Sequence, residues 1–582
     1  MCGIIASIER EGFAPATVFN GLKEIEYRGY DSWGVAYVAE KGFRVVKEVG
    51  ILPESFDLPN SHLAIGHTRW ATHGEVTVIN AHPHLDCSGK LAIVHNGIIE
   101  NYAELKRGLI GHKIISETDT EVLIHVAEDR LKENSEDLLD AAAFSYNRIS
   151  GANSLIIADQ NTFVAIRNIA SLILAELPDG FAVASDTQAL VNKTSKFYIL
   201  NNNEAVLVSQ NQIPKVYKLP NLTPFKISFS EIPRKEIEAE KQDFPHFMIK
   251  EIYEQPEILE NISRNEPEVR KVAGFIKEAF GTFFIACGSA AYAAQEGVYL
   301  FSKIAKKHVN FSVGSEFVYL QDYLTDKSLL VAVSQSGESV DTIEPTIEAK
   351  NKGVKIVSLV NRVDSELFRI SDYPLSLQAG VEKAVCSTKV VTAMLANLIM
   401  IAHSLAGSLE EGQEIVRKSA EEVKVLLDKV QAISELAEHL KNFEHIYCLG
   451  RGLSYPVAME AALKIKEVSY IHAEGFAGGE LKHGMIALIE QAIPVIVFAP
   501  NDETRDAVLS NAMEVKSRGA YIIGVGSENS PIFNSFFEVK EVGASSIIPN
   551  VVFAQLLSYY LAAKKGYDPD KPRNLAKSVV VR

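Results

Sequence analysis

The chain has few cysteines, and they form no pattern. Five cysteines are spread over 582 residues without a CxxC pair. Such a set argues against a disulfide framework or a zinc site and favours a reducing, cytoplasmic location. The motif NAHPHLDC (80–87) raises the question of a metal, but it lacks further ligands at the usual spacing. We therefore predict no metal and no cofactor.

Long apolar runs and an excess of basic residues are also missing. The most apolar stretch, 390–407, is interrupted by Asn397 and His403, which predicts a buried core helix rather than a membrane span. The first residues lack the basic-then-apolar pattern of a signal peptide. The net charge of -16 disfavours nucleic acid and anionic membranes as partners.

What is present is length and an ordinary globular composition, 47% hydrophobic and 23% charged. A chain this long predicts about three domains. Short β-branched runs and two helical patterns, near 16–27 and 120–134, predict an α+β layered first domain. A charged stretch over 230–254 predicts the interdomain connection.

The later part of the chain repeats a strand–turn–helix–strand pattern. The segments GTFFIACGSAAYAAQEGVYLFSKI and HIYCLGRGLSYPVAMEAALKIKEV begin the two copies, roughly 160 residues apart. This pattern predicts two related α/β domains with parallel sheets. The turn GRGLSYP lacks the third glycine of a dinucleotide fingerprint, which disfavours NAD.

The first copy carries SQSGES (334–339) between a strand and a helix, a place that suits phosphate. Its candidate phosphate ligands are Ser334, Gln335, Ser336 and Ser339. The second copy has APNDET there, and Asp502 and Glu503 would repel an anion. An ordinary capped turn is the alternative interpretation.

The opening MCGIIASIER places Cys2 directly after Met1. With Met1 removed, an α-amino group would stand beside the thiol as base beside nucleophile. A tolerant second position is the alternative. The motif HNG (95–97) offers oxyanion donors, the Asn96 side chain and the Gly97 N–H.

Other charged residues suit substrate binding or proton transfer. Arg69 and Asp119 suit an amino-acid carboxylate and ammonium, although a surface ion pair and a helix cap would also explain them. On the helical segment AMEAALKIKEV, one face carries Glu460, Lys464 and Glu467, which predicts either a cleft helix or a solvated face. The motif GELKHG adds His483, and the tail adds Lys577, an amine able to form a Schiff base unless it is simply solvated.

Taken together, these motifs resemble known families. MCGIIA, EYRGYDSWG, GHTRWATHG, NAHPH, HNGIIENY and SETDTE are similar to the glutaminase domain of class II glutamine amidotransferases. KEIYEQP, SQSGES, KEVSYIHAEGFAGGELKHG and PRNLAKSVVV resemble the sugar isomerase (SIS) half of isomerising glutamine–fructose-6-phosphate aminotransferases. The resemblance implies an αββα N-terminal-nucleophile sandwich (1–238), a linker (239–265), two doubly wound parallel-sheet SIS domains (266–405 and 430–565) and a tail (566–582) that completes the sugar site.

The resemblance also implies roles for single residues. Cys2 attacks glutamine, with Asn96 and Gly97 as the oxyanion hole. The residues implied to bind glutamine are Arg69, Asp119, Thr72, His73 and the gate residue Trp70.

The resemblance further implies a second reaction and the residues that carry it out. Ammonia passes inside the protein to fructose 6-phosphate, whose phosphate is held by the SQSGES ligands with Ser289 nearby. Lys577 forms the Schiff base, and Glu467 moves the proton with support from Lys464. His483, donated by the partner of a homodimer, opens the sugar ring.

The chain departs from the family pattern at three positions. Ala290 and Ser339 stand where the family has hydroxyl-bearing Ser and Thr, and Cys386 stands where it has Ala. These changes put the strength of phosphate or sugar binding in doubt and remove no proposed catalytic group. Three alternatives remain open: a phosphoribosylamine-forming amidotransferase, a sugar-phosphate-sensing regulator and a deglycase.

Overall fold

The computed structural model of the protein describes residues 2–134, 137–232 and 240–578. The chain divides into two compact units. The first comprises residues up to 239 together with 338–340 and 576–582, and the second comprises 240–337 and 341–575. The predicted removal of Met1 falls outside the described residues.

The first unit is built from two antiparallel sheets. Its strands are β1 (Gly3–Glu9), β2 (Ser32–Ala39), β3 (Gly42–Val49), β4 (Leu63–Arg69), β5 (His84–Leu85), β6 (Ala92–Gly97), β7 (Asn153–Ala158), β8 (Thr162–Arg167), β9 (Ile173–Leu177), β10 (Gly180–Ala184), β11 (Lys196–Ile199), β12 (Glu204–Ser209), β13 (Lys215–Lys218), β14 (Thr223–Phe225) and β15 (Ser230–Glu231). Within the described ranges, one sheet has the order β15-β11-β9-β10-β1-β4-β2-β3 and the other β14-β13-β12-β8-β7-β6-β5.

Helices cover both outer faces of these sheets: α1 (Ala14–Glu24), α2 (Tyr102–Gly108), α3 (Asp119–Asn134) and α4 (Leu138–Tyr146). Ile4 and Phe163 belong to the core between the sheets. Val18 of α1 packs on the first sheet and Leu123 of α3 on the second. The four layers confirm the predicted αββα sandwich, with its helices near the predicted 16–27 and 120–134.

The second unit contains two parallel sheets. Its strands are β16 (Gly281–Ala286), β17 (Asn310–Val313), β18 (Ser328–Ser334), β19 (Lys355–Val360), β20 (Tyr373–Ser376), β21 (His445–Gly450), β22 (His472–Ala477), β23 (Pro494–Phe498), β24 (Tyr521–Gly526) and β25 (Ser535–Glu538). The strand orders, β17-β16-β18-β19-β20 and β22-β21-β23-β24-β25, are the same doubly wound order, which confirms the two predicted α/β domains.

The helices of this unit are α5 (Phe247–Ile262), α6 (Glu266–Glu278), α7 (Ser289–Leu300), α8 (Gly314–Phe317), α9 (Val340–Asn351), α10 (Glu366–Ile370), α11 (Lys389–Ala406), α12 (Leu409–Asp428), α13 (Val430–Leu440), α14 (Ser454–Ser469), α15 (Arg505–Lys516) and α16 (Ile547–Lys564). Helix α5 lies within the predicted linker, 239–265, and occupies most of it.

Two helical segments have the length and apolar composition of a membrane span, Lys389–Ala406 and Gly543–Lys564. They are 83% and 89% buried inside the protein. Core helices of soluble proteins share these properties, and the first of the two is the stretch for which the sequence predicts a core helix.

Candidate active sites

The thiol of Cys2 lies against the end of β4. Its Sγ is 3.5 Å from the carbonyl oxygen of Trp70, and the Trp70 N–H donates to Sγ at 3.4 Å. The Cys2 carbonyl accepts from Arg28 Nε at 3.3 Å, and Arg28 pairs with Asp186 at 3.0 Å. Burial raises the pKa of the Cys2 thiol. A nucleophile of this kind is protonated at rest and needs a base to activate it.

The predicted oxyanion donors lie at the end of β6. Asn96 is fully buried, and among the described residues neither its Oδ1 nor its Nδ2 has a hydrogen-bond partner. Gly97 has φ +142°, and a Cβ there would lie 2.3 Å from the Ala152 carbonyl oxygen, so only glycine fits. The preceding residue, His95, accepts at its carbonyl from His67 Nε2 of β4 at 3.0 Å. This bond joins the strand of the donors to the strand that ends beside Cys2.

The guanidinium of Arg69 holds the loop that follows β4. It donates to the carbonyls of Glu75 and Gly74, both at 3.1 Å, and to that of His73. Burial lowers the pKa of Arg69, while the carboxylates of Asp31 and Asp119 act in the opposite direction. A buried cation facing carboxylates remains charged, because the guanidinium keeps its proton at any physiological pH.

Asp119 is the first residue of α3, and within the described residues its carboxylate bonds to the loop before α2 rather than to the backbone N–H groups of its own helix, as the alternative interpretation of a helix cap would require. Its Oδ2 accepts from the Ile99 N–H at 2.8 Å, and its Oδ1 from the Thr120 hydroxyl at 3.4 Å. The carboxylate of Asp119 also acts to raise the pKa of the Arg69 guanidinium, so these two predicted glutamine-binding residues lie in one region of the structure.

The other predicted residues of this site belong to the loop after β4. Trp70 is half-buried against Ala170. His73 meets the ring of Tyr102 edge-on, with centroids 5.4 Å apart, and Thr72 is exposed. Asp31 accepts from the Ala71 N–H at 2.8 Å and so also holds this loop, although it is not among the residues predicted from the sequence. The motif EYRGYDSWG, which contains both Asp31 and Arg28, could have indicated it.

In the second unit, Lys464 is the centre of a buried cluster. Its Nζ lies 2.5 Å from Glu467 Oε2 and 3.6 Å from Glu460 Oε1, and it donates to Cys386 Sγ at 3.4 Å. The Cys386 thiol in turn donates to Glu467 Oε2 at 3.1 Å. The predicted helix face is therefore a buried site and not a solvated surface.

The protonation of this cluster follows from its burial. Burial alone would lower the pKa of Lys464, but the neighbouring negative groups raise it well above its ordinary value. Burial raises the pKa of Glu460 to about 7. The cluster thus holds a permanent ammonium beside a carboxyl that titrates near neutral pH, an arrangement suited to proton transfer.

The predicted phosphate ligands lie at the carboxyl ends of two adjacent strands. Ser334 ends β18, and its hydroxyl accepts from the Gly337 N–H at 3.0 Å. Ser336 is buried, Gln335 is half-buried, and Ser339 immediately precedes α9. Ser289 begins α7 after the neighbouring strand β16 and is buried. This is the edge of a doubly wound sheet at which ligands bind.

The equivalent turn of the second copy is differently engaged. Asp502 accepts from the backbone and the hydroxyl of Thr504, at 2.8 and 2.6 Å, and Glu503 pairs with Lys303 at 2.8 Å. Its carboxylates oppose an anion, as the sequence predicts.

Two predicted catalytic residues lie outside the contacts given above. His483 is exposed at the end of a 3₁₀ turn, Gly478–His483. Lys577 is half-buried in the chain end that groups with the first unit. Their roles stay predictions.

Models of two known families match the chain, one in each unit. A model described as "Glutamine amidotransferase domain" matches residues 67–192, and a model described as "SIS domain" matches twice, at 276–404 and 439–565.

Curated relatives extend over the whole chain. Proteins named glutamine–fructose-6-phosphate aminotransferase (isomerizing) from Thermococcus kodakarensis, Pyrococcus horikoshii and Thermus thermophilus are 40%, 39% and 38% identical, each over 100% of both chains.

Solved structures resemble the second half of the chain. The C-terminal domain of glucosamine-fructose-6-phosphate aminotransferase from Francisella tularensis matches with a TM-score of 0.54 and 34% identity, covering 57% of this chain and 100% of that one. Tagatose-6-phosphate ketose/aldose isomerase from Escherichia coli shares the fold, with a TM-score of 0.51 and 19% identity over 56% of this chain and 96% of that one.

Proposed function

This chain belongs to the family of isomerising glutamine–fructose-6-phosphate aminotransferases, and we propose that it converts glutamine and fructose 6-phosphate into glutamate and glucosamine 6-phosphate. The product would supply the first amino sugar of hexosamine synthesis. The observation that carries the proposal is the presence of two different sites in one chain. One is the half-buried Cys2, whose thiol contacts the backbone of Trp70 directly after Arg69. The other is the buried Lys464 cluster on a sugar-isomerase fold.

In the proposed first half-reaction, Cys2 attacks the side-chain amide of glutamine. The free α-amino group left by loss of Met1 would take the thiol proton. Asn96 and the Gly97 N–H would stabilise the tetrahedral oxyanion, and the unpartnered amide of Asn96 supports this role. Arg69 and Asp119 would bind the α-carboxylate and α-ammonium, with Trp70, Thr72 and His73 closing over the substrate. Water would then release glutamate, and ammonia would pass on.

In the proposed second half-reaction, the turn after β18 binds the phosphate of fructose 6-phosphate through Ser334, Gln335, Ser336 and Ser339, with Ser289 nearby. His483 would assist ring opening, and Lys577 would form a Schiff base with the ketone. Ammonia would replace Lys577 at C2, and Glu467 would then move a proton from C1 to C2. The Glu467–Lys464 distance of 2.5 Å supports this pairing.

The remaining predictions belong to the same proposal. They are a homodimer in which the partner donates His483, a cytoplasmic location, and domain boundaries at 1–238, 239–265, 266–405, 430–565 and 566–582. The scattered cysteines support the cytoplasmic location, and the resemblance of the motifs supports the dimer and the boundaries.

The decisive experiment measures glutamate and glucosamine 6-phosphate together, with glutamine and fructose 6-phosphate supplied to the purified protein. We expect equal amounts of both products from the wild type and neither from Cys2→Ala. Cys448→Ala, a buried cysteine on β21 outside both sites, is the matched control and should form both products.

Glutamate without amino sugar would refute the second half-reaction and make Ala290 the first suspect. Amino sugar formed equally well by Cys2→Ala would refute the first. Release of ammonia from glucosamine 6-phosphate without any glutamine requirement would favour the deglycase, and binding of the sugar phosphate without turnover would favour the regulator.

A further inference from the structure

Four metal-ligating side chains come together in the first unit, away from the contacts of Cys2. Cys87 follows β5, His112 lies between α2 and α3, and His125 and Glu128 lie on α3. One ligand atom from each lies within 4.8 Å of the others. The motif NAHPHLDC contains Cys87, but the other three ligands are widely and unevenly spaced along the chain and meet it only in the folded protein.

Five separations between the ligand atoms lie between 2.9 and 3.7 Å, close to the edges of a tetrahedron around one ion. Cys87 Sγ is 3.5 Å from His112 Nδ1 and 3.7 Å from His125 Nδ1, and the two Nδ1 atoms are 3.2 Å apart. Glu128 Oε2 is 3.2 Å from the first Nδ1 and 2.9 Å from the second. Tetrahedral zinc with bonds of about 2.0 to 2.3 Å has edges of about 3.3 to 3.8 Å, so the closest of these atoms would move apart slightly around an ion.

Neighbouring groups aim these ligands at the common centre. His112 Nε2 lies 2.7 Å from Asp129 Oδ1, so its proton sits on that side and its Nδ1 lone pair faces the cluster. The other Glu128 oxygen, Oε1, accepts from Lys132 Nζ at 2.7 Å. A carboxylate behind a ligating histidine is the usual outer support of a protein metal site.

Burial separates this set from an ordinary surface cluster. The side chains of His112, His125 and Glu128 are 4%, 1% and 6% exposed, whereas Cys87 is at the surface. Two ring nitrogens only 3.2 Å apart share at most one proton between them, so at least one of them presents a lone pair to the centre of the group. An ion entering past Cys87 would pair with all four atoms at once.

We propose that Cys87, His112, His125 and Glu128 bind one divalent transition-metal ion, with Zn²⁺ the best match to a sulfur, two nitrogens and one oxygen. All four positions are filled by protein, so the site is structural. It ties the segment before α3 to the helix that begins at Asp119. This inference departs from the predicted absence of a metal and does not depend on the proposed function.

The first test measures metal on the full-length protein. The purified chain is stripped with a chelator, exposed to Zn²⁺, desalted and analysed by mass spectrometry for zinc. We expect one zinc ion per chain in the wild type and in the control variants Cys287→Ser and His439→Gln. Cys87→Ser and His125→Gln should each bind at least about tenfold more weakly. Equal zinc in the wild type and the double variant Cys87→Ser/His125→Gln would overturn the proposal.

Two further measurements complement the first. The cobalt spectrum reports on the ligands directly, and the alkylation test uses only the wild type. Cobalt(II) bound to the wild type should show the strong visible absorption of a tetrahedral site and a thiolate charge-transfer band that Cys87→Ser lacks. Zn²⁺ should also slow alkylation of Cys87 in the wild type without slowing that of Cys287. An octahedral cobalt spectrum, or alkylation of Cys87 unaffected by zinc, would count against the site.

Discussion

Asn96 illustrates at the residue scale how a folded chain can hold a group ready for chemistry. Its amide is fully buried, and neither polar atom has a partner among the described residues. An unpaired buried polar group costs about 1–3 kcal/mol. Burying such a group without a partner is expected where the partner is a reaction intermediate, because the donor is then already oriented.

We expect Asn96→Ala to lower kcat for glutamine hydrolysis by about 10²–10³-fold with little change in KM, since the donor acts on the oxyanion and not on bound glutamine. Glutamate release under saturating and limiting glutamine measures both constants. Asn397→Ala is the matched control, because Asn397 is also a buried asparagine with an unpartnered Oδ1 but lies on α11 of the second unit. A kcat within twofold of the wild type would remove Asn96 from the oxyanion hole.

The burial of Glu460 predicts how the stability of the protein depends on pH. Its pKa in the folded protein is about 7, above the unfolded value, so the folded state binds the extra proton. Stability from this group is therefore complete below the unfolded pKa and is lost as pH rises through about 7.

Glu460→Gln should remove that loss, so the variant should gain stability over the wild type as pH rises from about 5 to about 8, by on the order of 2–3 kcal/mol. Denaturant unfolding at a series of pH values measures it. Lys464 keeps Glu467 as its partner in this variant. Parallel pH curves for variant and wild type would show that Glu460 is ionised at neutral pH.

At the scale of elements, sequence patterns predicted most of what the structure contains. Helix α3 begins one residue before the predicted range and ends where predicted. The prediction was this close because the apolar periodicity and an acidic first turn both mark the helix. The repeated strand–turn–helix pattern predicted the two parallel sheets. The contact of Cys386 with Glu467 and Lys464 was beyond prediction, since it joins the loop after β20 to α14 and depends on tertiary packing.

A group of buried histidines lies along β4, β5 and β6 and sets a second pH response. Burial lowers the pKa of His67 to about 3, and it holds those of His82 and His84 well below the ordinary value. His82 stacks on His67 with ring centroids 4.2 Å apart. Folded pKa values below the unfolded value of about 6.5 mean that this stability is complete above about pH 6.5 and is lost as pH falls.

His82→Leu should therefore be close to the wild type at about pH 7.5 and more stable than it at about pH 5.5, the gap growing by about 1.4 kcal/mol per pH unit. Both ring nitrogens of His82 lack a partner within the described residues, so an apolar side chain of similar volume forfeits no hydrogen bond. The free energy of the first unit's unfolding is the measurement. His439→Gln, on exposed His439, serves as control, and a gap independent of pH would contradict the expectation.

At the scale of the whole molecule, one domain plan occurs twice with different turns. The turn after β18 presents Ser336 where the turn after β23 presents Asn501, followed by acidic residues. The sequence alone locates this difference, whereas the roles predicted for His483 and Lys577 at the sugar stay predictions.

Ser336→Ala should weaken binding of fructose 6-phosphate by about ten- to a hundredfold, because a hydrogen bond to a charged phosphate is lost. Isothermal titration of the full-length protein measures this affinity. Asn501→Ala, the corresponding position of the second copy, should bind as the wild type does. Equal weakening by both substitutions would place the sugar phosphate elsewhere.

Arg69 holds three carbonyls of the loop after β4 with part of its guanidinium. A guanidinium carries five N–H donors, so the remaining ones are those that an incoming carboxylate would meet. The same cation would then bind both the loop and the ligand, so ordering of the loop and binding of the ligand are thermodynamically linked. If ordering of the loop raises the affinity for the ligand by some factor, bound ligand raises the equilibrium constant for ordering of the loop by the same factor.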